Sequence, residues 1–369
     1  MGSNNFLGQT PHQGGTSRSE IIKVFRTDNL NSHFRELAKT PIKVEALKRV
    51  FANYPNSADK QILLDCFQYG FRVQYDGPRL PFNCKNLVSA YQLDSELEEK
   101  LAKELSLGRI EGPFEERPFQ NFRVFPIGLV PKTKTTDSSW RLIHHLSYPI
   151  GRSVTDFIDP EFTSVQYTSF DKVLQTISKL GQNALLAKID ILSAFRLMIL
   201  HPDDFEIFGF KFRGKYYFDK CLPMGCSASC AFFKFAYFRE WRLKIDQKWI
   251  RLSIFWMIIY WRENHPPKIV KKMMSVFRGV CDNLGVLLAE EKTKCPTCVL
   301  VYLGLVIDTI EMVIRIPENK LEEVKSKLLS VCNKHMVTLH DLQSLVVSLN
   351  FCSRAIPVLV PLICVLVML

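Results

Sequence analysis

Lys188-Ile-Asp190-Ile-Leu-Ser-Ala-Phe195, followed about thirty residues on by Leu222-Pro-Met-Gly225-Cys-Ser-Ala-Ser229, decides how this chain is read. Ala184 to Ile191 is a short, mostly apolar run, which predicts a buried strand with Asp190 at its end. An isolated Asp there caps a turn as readily as it does chemistry. The second stretch supplies the specificity that the first lacks.

Outward from this pair the chain alternates short strand and helix signals. Phe125 to Val130 and Trp140 to Leu146 read as two strands joined by a polar loop, Lys132 to Ser139. Phe208 to Phe212 and Tyr216 to Phe218 flank Arg213-Gly214-Lys215, a hairpin signal. Helices are expected at Leu97, Leu101 and Leu105 (ending at Gly108), from Ser227 to Trp241, and from Lys268 to Leu284 with a stop at Gly285. Val299 to Ile307 reads as a strand. Pro317 opens a helix carrying Leu321, Val324 and Leu328, and Thr338-x-x-Asp341 resembles a capping box before Leu342, Leu345 and Leu349.

Taken together, the two opening stretches resemble motifs A and B of reverse transcriptases. The match continues in order through Pro131-Lys132-Thr-Lys134, Trp140-Arg141-Leu-Ile, Gly285-Val-Leu-Leu-Ala-Glu-Glu-Lys292-Thr and Tyr302-Leu-Gly304-Leu. Gly209 to Ser227, and Leu349-Asn-Phe-Cys-Ser-Arg-Ala-Ile-Pro357, look like the DIRS group of tyrosine-recombinase retrotransposons. The resemblance covers roughly Leu97 to Pro357, excluding about Arg242 to Pro267. It implies an α+β right-hand polymerase fold, with fingers, a palm whose antiparallel sheet carries Asp190, and a partial helical thumb or connection. It implies RNA-directed DNA polymerase activity by descent, with RNA/DNA template–primer and dNTP as partners and Mg2+ as cofactor. On these boundaries residues 1–40 form a flexible arm and 41–93 an N-terminal extension of open role. Residues 94–315 form fingers and palm (242–267 anomalous), 316–354 the thumb or connection, and 355–369 an apolar, aberrant tail.

The resemblance also implies roles. Nucleotide addition is an in-line phosphoryl displacement aided by two metal ions, and magnesium takes hard oxygen ligands from several clustered carboxylates. Asp190 would supply a carboxylate, with the Ile191 carbonyl beside it. Phe195 matches the aromatic beneath the incoming sugar, although core packing explains it equally. Lys134 and Arg141 match the cations that clamp a triphosphate, with Lys132 competing for the same role. Gly225 would let backbone approach the templating base pair. Lys292 matches the lysine proposed to protonate the leaving pyrophosphate, and Tyr302 with Gly304 the turn that grips the primer.

One motif is missing. Reverse transcriptases carry Tyr-x-Asp-Asp between motif B and the Lys292 segment, but Trp249 to Pro267 contains one acid, Glu263, and no Asp. Ile254-Phe-Trp-Met-Ile-Ile-Tyr260 stands there instead. A site with Asp190 alone lacks about two units of negative charge, which should remove on the order of several powers of ten in rate. The genetic code suggests the cause. Read from the third codon base, Phe255-Trp256 must encode Leu, Trp256-Met257 must encode Asp, and Met257-Ile258 must encode Asp again. Ser253-Ile254 permits Tyr. Two compensating frame changes, one before Ser253 and one before Lys268, would account for the loss; a catalytically dead relic that still binds nucleic acid is the alternative to a working enzyme.

Composition agrees without deciding. A formal charge of +11 suits a polyanionic partner and also serves solubility. Eleven cysteines without an apolar N-terminal signal predict free thiols in an intracellular, reducing setting, cytoplasm or nucleus. Cys295-Pro-Thr-Cys298 has no second pair at zinc spacing. The tail Ala355 to Leu369, with Pro357 and Pro361, is too short and broken for a membrane span, so no membrane partner is expected.

Overall fold

The computed structural model describes residues 36–52, 56–132, 139–167, 169–238, 244–245, 248–249, 257–261 and 268–368. The chain divides into two compact units, the first comprising residues up to Gln166 with Ser193–Arg239 and Asn283–Val286. The second comprises Tyr167–Leu192, Glu240–Asp282 and Leu287–Leu369.

In the first unit a five-stranded mixed sheet runs in the order Phe82–Asn83, Arg123–Val124, Gly209–Phe212, Lys215–Asp219 and Ile110–Phe114. The first two junctions are parallel and the last two antiparallel. The expected hairpin closes at Arg213-Gly214, both at positive φ, the geometry a right-twisted hairpin favours. The two strands expected around the polar loop pair as Ile127–Pro131 with Trp140–His144. Helix Asp94–Ser106 buries Leu97 and Leu101 against Ile110, Ile127, Leu129, Phe210 and Phe212.

Residues 41–93, whose role the sequence leaves open, contribute to this unit's core and main sheet. Phe71, Val73 and Leu63 are buried, and Phe82–Asn83 forms the edge of the main sheet. A carboxylate cluster ties the segment down. Arg72 Nε lies 3.2 Å and Arg79 Nη2 2.9 Å from the two oxygens of Asp204, whose side chain is 1% exposed. The Val73 amide donates to the same group at 2.9 Å.

The second unit holds a three-stranded antiparallel sheet with Leu185–Ile189 in the centre, Met257–Trp261 on one side and Lys294–Thr297 on the other. Leu186, Ala187 and Ile189 are buried, as the apolar run requires. Within the anomalous segment Met257–Trp261 is thus a sheet strand, with Met257 opposite Ile189. Helix Phe170–Leu180 begins at Ser169, whose hydroxyl accepts from the Lys172 amide, and ends at Gly181 with φ +87. Its Phe170, Val173 and Ile177 pack on Leu186, Leu300, Tyr302, Leu305 and Ile307.

One expectation is corrected here. Val299 to Ile307 is not one strand: Val299–Tyr302 and Leu305–Asp308 pair antiparallel, reversing at Leu303 and Gly304, both at positive φ. Glu318–Cys332 is helical from Pro317 onward, as expected, and none of its residues is buried. Leu345 and Leu349 of the next helix, capped by Thr338 as expected, are. Within the apolar tail Leu359–Met368 is helical, with Pro361 in its first turn, where a missing N–H costs nothing. Among the described residues no helix is long and apolar enough to cross a membrane. All eleven cysteines are free.

Removing the Asp204 carboxylate takes one partner from each of two guanidinium groups, leaving Arg72 with Asp203 and Arg79 with Glu206, and removes the acceptor of the buried Val73 amide. Asp204→Ala should destabilise the protein by about 3 kcal/mol in denaturant unfolding, and an unchanged midpoint would disprove the tethering role.

Candidate functional site

Asp190 follows the last residue of the central strand, Leu185–Ile189, and its carbonyl accepts from the Ala289 amide at 2.8 Å. Ile191 forms an isolated antiparallel bridge with Leu288. These backbone contacts bring the segment before Lys292 back beside Asp190. Lys292 Nζ then sits 3.3 Å from Asp190 Oδ2, with the lysine half exposed and the aspartate mostly buried. Thus Asp190, Ile191 and Lys292, more than a hundred residues apart in sequence at the extremes, meet at one end of one sheet.

The same end carries two lysines that motif reasoning passed over. Lys188 is the Cα partner of Lys294 across the sheet. Burial pulls the Lys188 ammonium below the usual lysine range, Asp190 opposes that pull, and Lys294 and Lys292 add to it. A lysine inside an otherwise apolar strand was the available signal.

A divalent-ion site requires several oxygen ligands converging on a point. Among the described residues no group of three His, Cys, Asp or Glu could hold a metal ion. Among the described residues the donor set at Asp190 is one carboxylate already engaged by an ammonium, and it does not fit a two-metal centre. Phe255 and Trp256 lie outside the described residues, as does Lys134.

In the first unit the remaining candidates stand as follows. Phe195, in the short 3-10 segment Ala194–Leu197, meets Phe233 edge-on at 5.9 Å. Arg141 is exposed on its strand opposite Val130, and the Lys132 amide donates to the Ser139 carbonyl at 2.8 Å, closing the base of the loop. Gly225 has φ +117, and a Cβ there would lie 2.0 Å from the His144 carbonyl oxygen. Close backbone approach does explain this glycine, but the approaching chain is the protein's own. The His144 amide also donates to the Met224 carbonyl at 3.1 Å.

His144 leads to a buried charge network that sequence reasoning missed. Its Nδ1 is 2.9 Å from Asp219 Oδ2, and Asp219 is paired on its other oxygen by Arg196. Arg196 Nε in turn reaches Glu104 at 3.2 Å. Burial pushes the Asp219 carboxyl up, but Arg196 and His144 outweigh it and hold the group below the usual aspartate range. The only sequence signal was an acid following the apolar run Tyr216 to Phe218, with Arg196 directly after Phe195.

In the second unit Tyr302 is 2% exposed and stacks on Phe170 with ring centroids 6.1 Å apart. Its ring is therefore core, and the turn it precedes offers Leu303, which is exposed, and Gly304 at φ +83.

Two outcomes test this geometry. Gly225→Ala should destabilise by more than about 2 kcal/mol, since backbone must move. The control Gly214→Ala, with φ +80 but open space, should cost only about 1 kcal/mol. Because Asp219 is depressed in the folded state, its stabilisation is full above the ordinary aspartate pKa of roughly 4 and is lost as pH falls below it. Asp219→Asn should flatten that acid limb in pH-dependent unfolding; an unchanged limb would contradict the assignment.

No family model matches the chain, and no curated protein matches it. Solved structures do. The foamy viral protease-reverse transcriptase in complex with RNA/DNA hybrid is similar at TM-score 0.56 and 17% identity, over 94% of this chain and 45% of that one. The same enzyme with dsDNA gives 0.55 and 17%, over 86% and 63%. A dRH form with double-stranded DNA gives 0.51 and 18%, over 91% and 56%. The chain spans about half the length of these proteins. With a mixed α+β architecture common to all, this chain has a reverse transcriptase-like fold.

Proposed function

We propose that this chain is a reverse transcriptase-like domain, an RNA-directed DNA polymerase by descent and of the DIRS-like group. In this reading it holds nucleic acid but does not transfer nucleotides in the form written here. The observation that carries the proposal is the Asp190 carboxylate, engaged by Lys292 at 3.3 Å within a reverse transcriptase-like fold. The foamy viral proteins were solved with RNA/DNA hybrid and with dsDNA, and the charge of +11 suits such a ligand. Arg141 with Lys132 or Lys134 would face a dNTP triphosphate, Phe195 would lie under its sugar, and the Tyr302–Gly304 turn would meet the primer. The eleven free thiols support an intracellular site of action.

A divalent metal is what the resemblance implies, and the described donors do not supply its ligands. One observation favours a second reading, an active ancestor interrupted by frame changes. Met257, opposite Ile189, is the residue whose codon contributes to both forced Asp codons of the shifted frame. That register supports the missing pair having stood beside Asp190.

Primer extension on an RNA template with magnesium tests both readings. The chain as written should give no incorporation. A coding sequence restored to the third-base frame across residues 253–258 should recover it. Incorporation by the unrepaired chain refutes the inert reading, and a stop codon in the shifted frame refutes the frame reading.

A further inference from the structure

Two arginines of the first unit meet on one aromatic ring with no carboxylate between them. Arg123, 3% exposed, places its guanidinium 5.1 Å from the Phe82 ring centroid, and the exposed Arg152 places its own 4.8 Å from the same centroid. Phe125 and Tyr75 complete the aromatic surround of Arg123, at 5.5 and 5.9 Å. Its N–H groups reach only main-chain carbonyls. Nη1 donates to Pro78 at 3.0 Å and Leu80 at 3.2 Å, Nη2 donates to Arg152 at 2.8 Å, and the buried Nε meets no acceptor among the described residues. Among the described residues neither guanidinium lies within ion-pair distance of an acid. The acid on the Arg152 loop, Asp156, is occupied there: its Oδ2 accepts from the Ser153 amide at 2.9 Å and hydroxyl at 2.6 Å, and its carboxylate also accepts from the Gly151 and Arg152 main chain. Burial draws the Arg123 guanidinium below the usual arginine range; Tyr75 opposes that pull and Arg152 adds to it.

We propose that Arg152, lying over the Phe82 ring and backed by Arg123, is a phosphate-binding site of the first unit, occupied by the backbone of a nucleic-acid strand. An aromatic ring engages only the face of a guanidinium, so the donors on its rim stay available as a fork that matches phosphate oxygens. Phe82 holds the Arg152 side chain and Arg123 holds its carbonyl, so less freedom is lost when an anion docks. A phosphodiester also supplies the negative charge that the arginine pair lacks. Free phosphate shares that chemistry. Only the strand as occupant rests on the nucleic-acid reading above.

The test uses the full chain in EDTA and a dye-labelled RNA/DNA hybrid with a single-stranded RNA overhang, followed by fluorescence anisotropy over a salt series. Arg152→Gln should weaken binding severalfold and reduce the log–log salt slope by roughly 0.7 to 0.9, the release expected for one phosphate contact. Arg152→Lys keeps the charge but loses the fork, so it should retain the slope and bind less tightly than the wild type. Arg49→Gln, at an exposed arginine of the same unit, controls for net charge and should change neither quantity. Phosphorus NMR of inorganic phosphate should show line broadening on the wild type that Arg152→Gln removes. Thermal melting shows that each variant is folded; should Arg152→Gln not be, Arg152→Lys carries the result. Wild-type hybrid binding by Arg152→Gln, or an equal loss in Arg49→Gln, overturns the proposal while leaving the proposed function standing. Absence of hybrid binding by the wild type overturns the nucleic-acid reading instead. Phosphate broadening that depends on Arg152 then still supports the anion site, and its absence overturns that as well.

Discussion

The first unit is organised around a carboxylate that has no water to rely on. Asp219 ends the Lys215–Asp219 strand, fully enclosed, and an isolated charge there would be prohibitively costly. Arg196 and His144 make it tolerable, and each brings a different part of the chain. Arg196 comes from the segment after Asp190, His144 from the end of the Trp140–His144 strand, and Glu104, on the far side of Arg196, from helix Asp94–Ser106. An apolar cluster accepts several packings of similar energy. A buried charge with assigned partners accepts one, because any slip leaves an ion unpaired.

That constraint reaches the Gly225 loop. His144 presents its side chain to Asp219 while its amide and carbonyl hold Met224 and crowd Gly225. The residue that resembled a nucleotide-facing glycine is therefore first a glycine that lets two segments of the same protein touch. The resemblance and the packing each account for the same missing side chain, so motif identity alone does not separate them.

The contrast with Asp190 is instructive. Asp219 ends its strand, Asp190 directly follows one, and both have a cation nearby. Asp219 is sealed in, with partners on both oxygens, and its role is architectural. Asp190 is only partly enclosed, and the cation on it, Lys292, is half exposed.

Much of the outline was legible because it depends on local periodicity. The buried run before Asp190, the hairpin at Arg213-Gly214, the helix from Lys268 to Leu284 and the Thr338 cap all follow from residues close in sequence. The ordered motifs identified the fold class, and the absence of Asp between Trp249 and Pro267 is a fact of the sequence alone. Tertiary structure alone decided the rest: that Asp219 gathers Arg196 and His144, that residues 41–93 are anchored through Asp204, and that Lys188 stands opposite Lys294. Each depends on which surface meets which across a long stretch of chain, and side-chain periodicity carries no information about partners that distant.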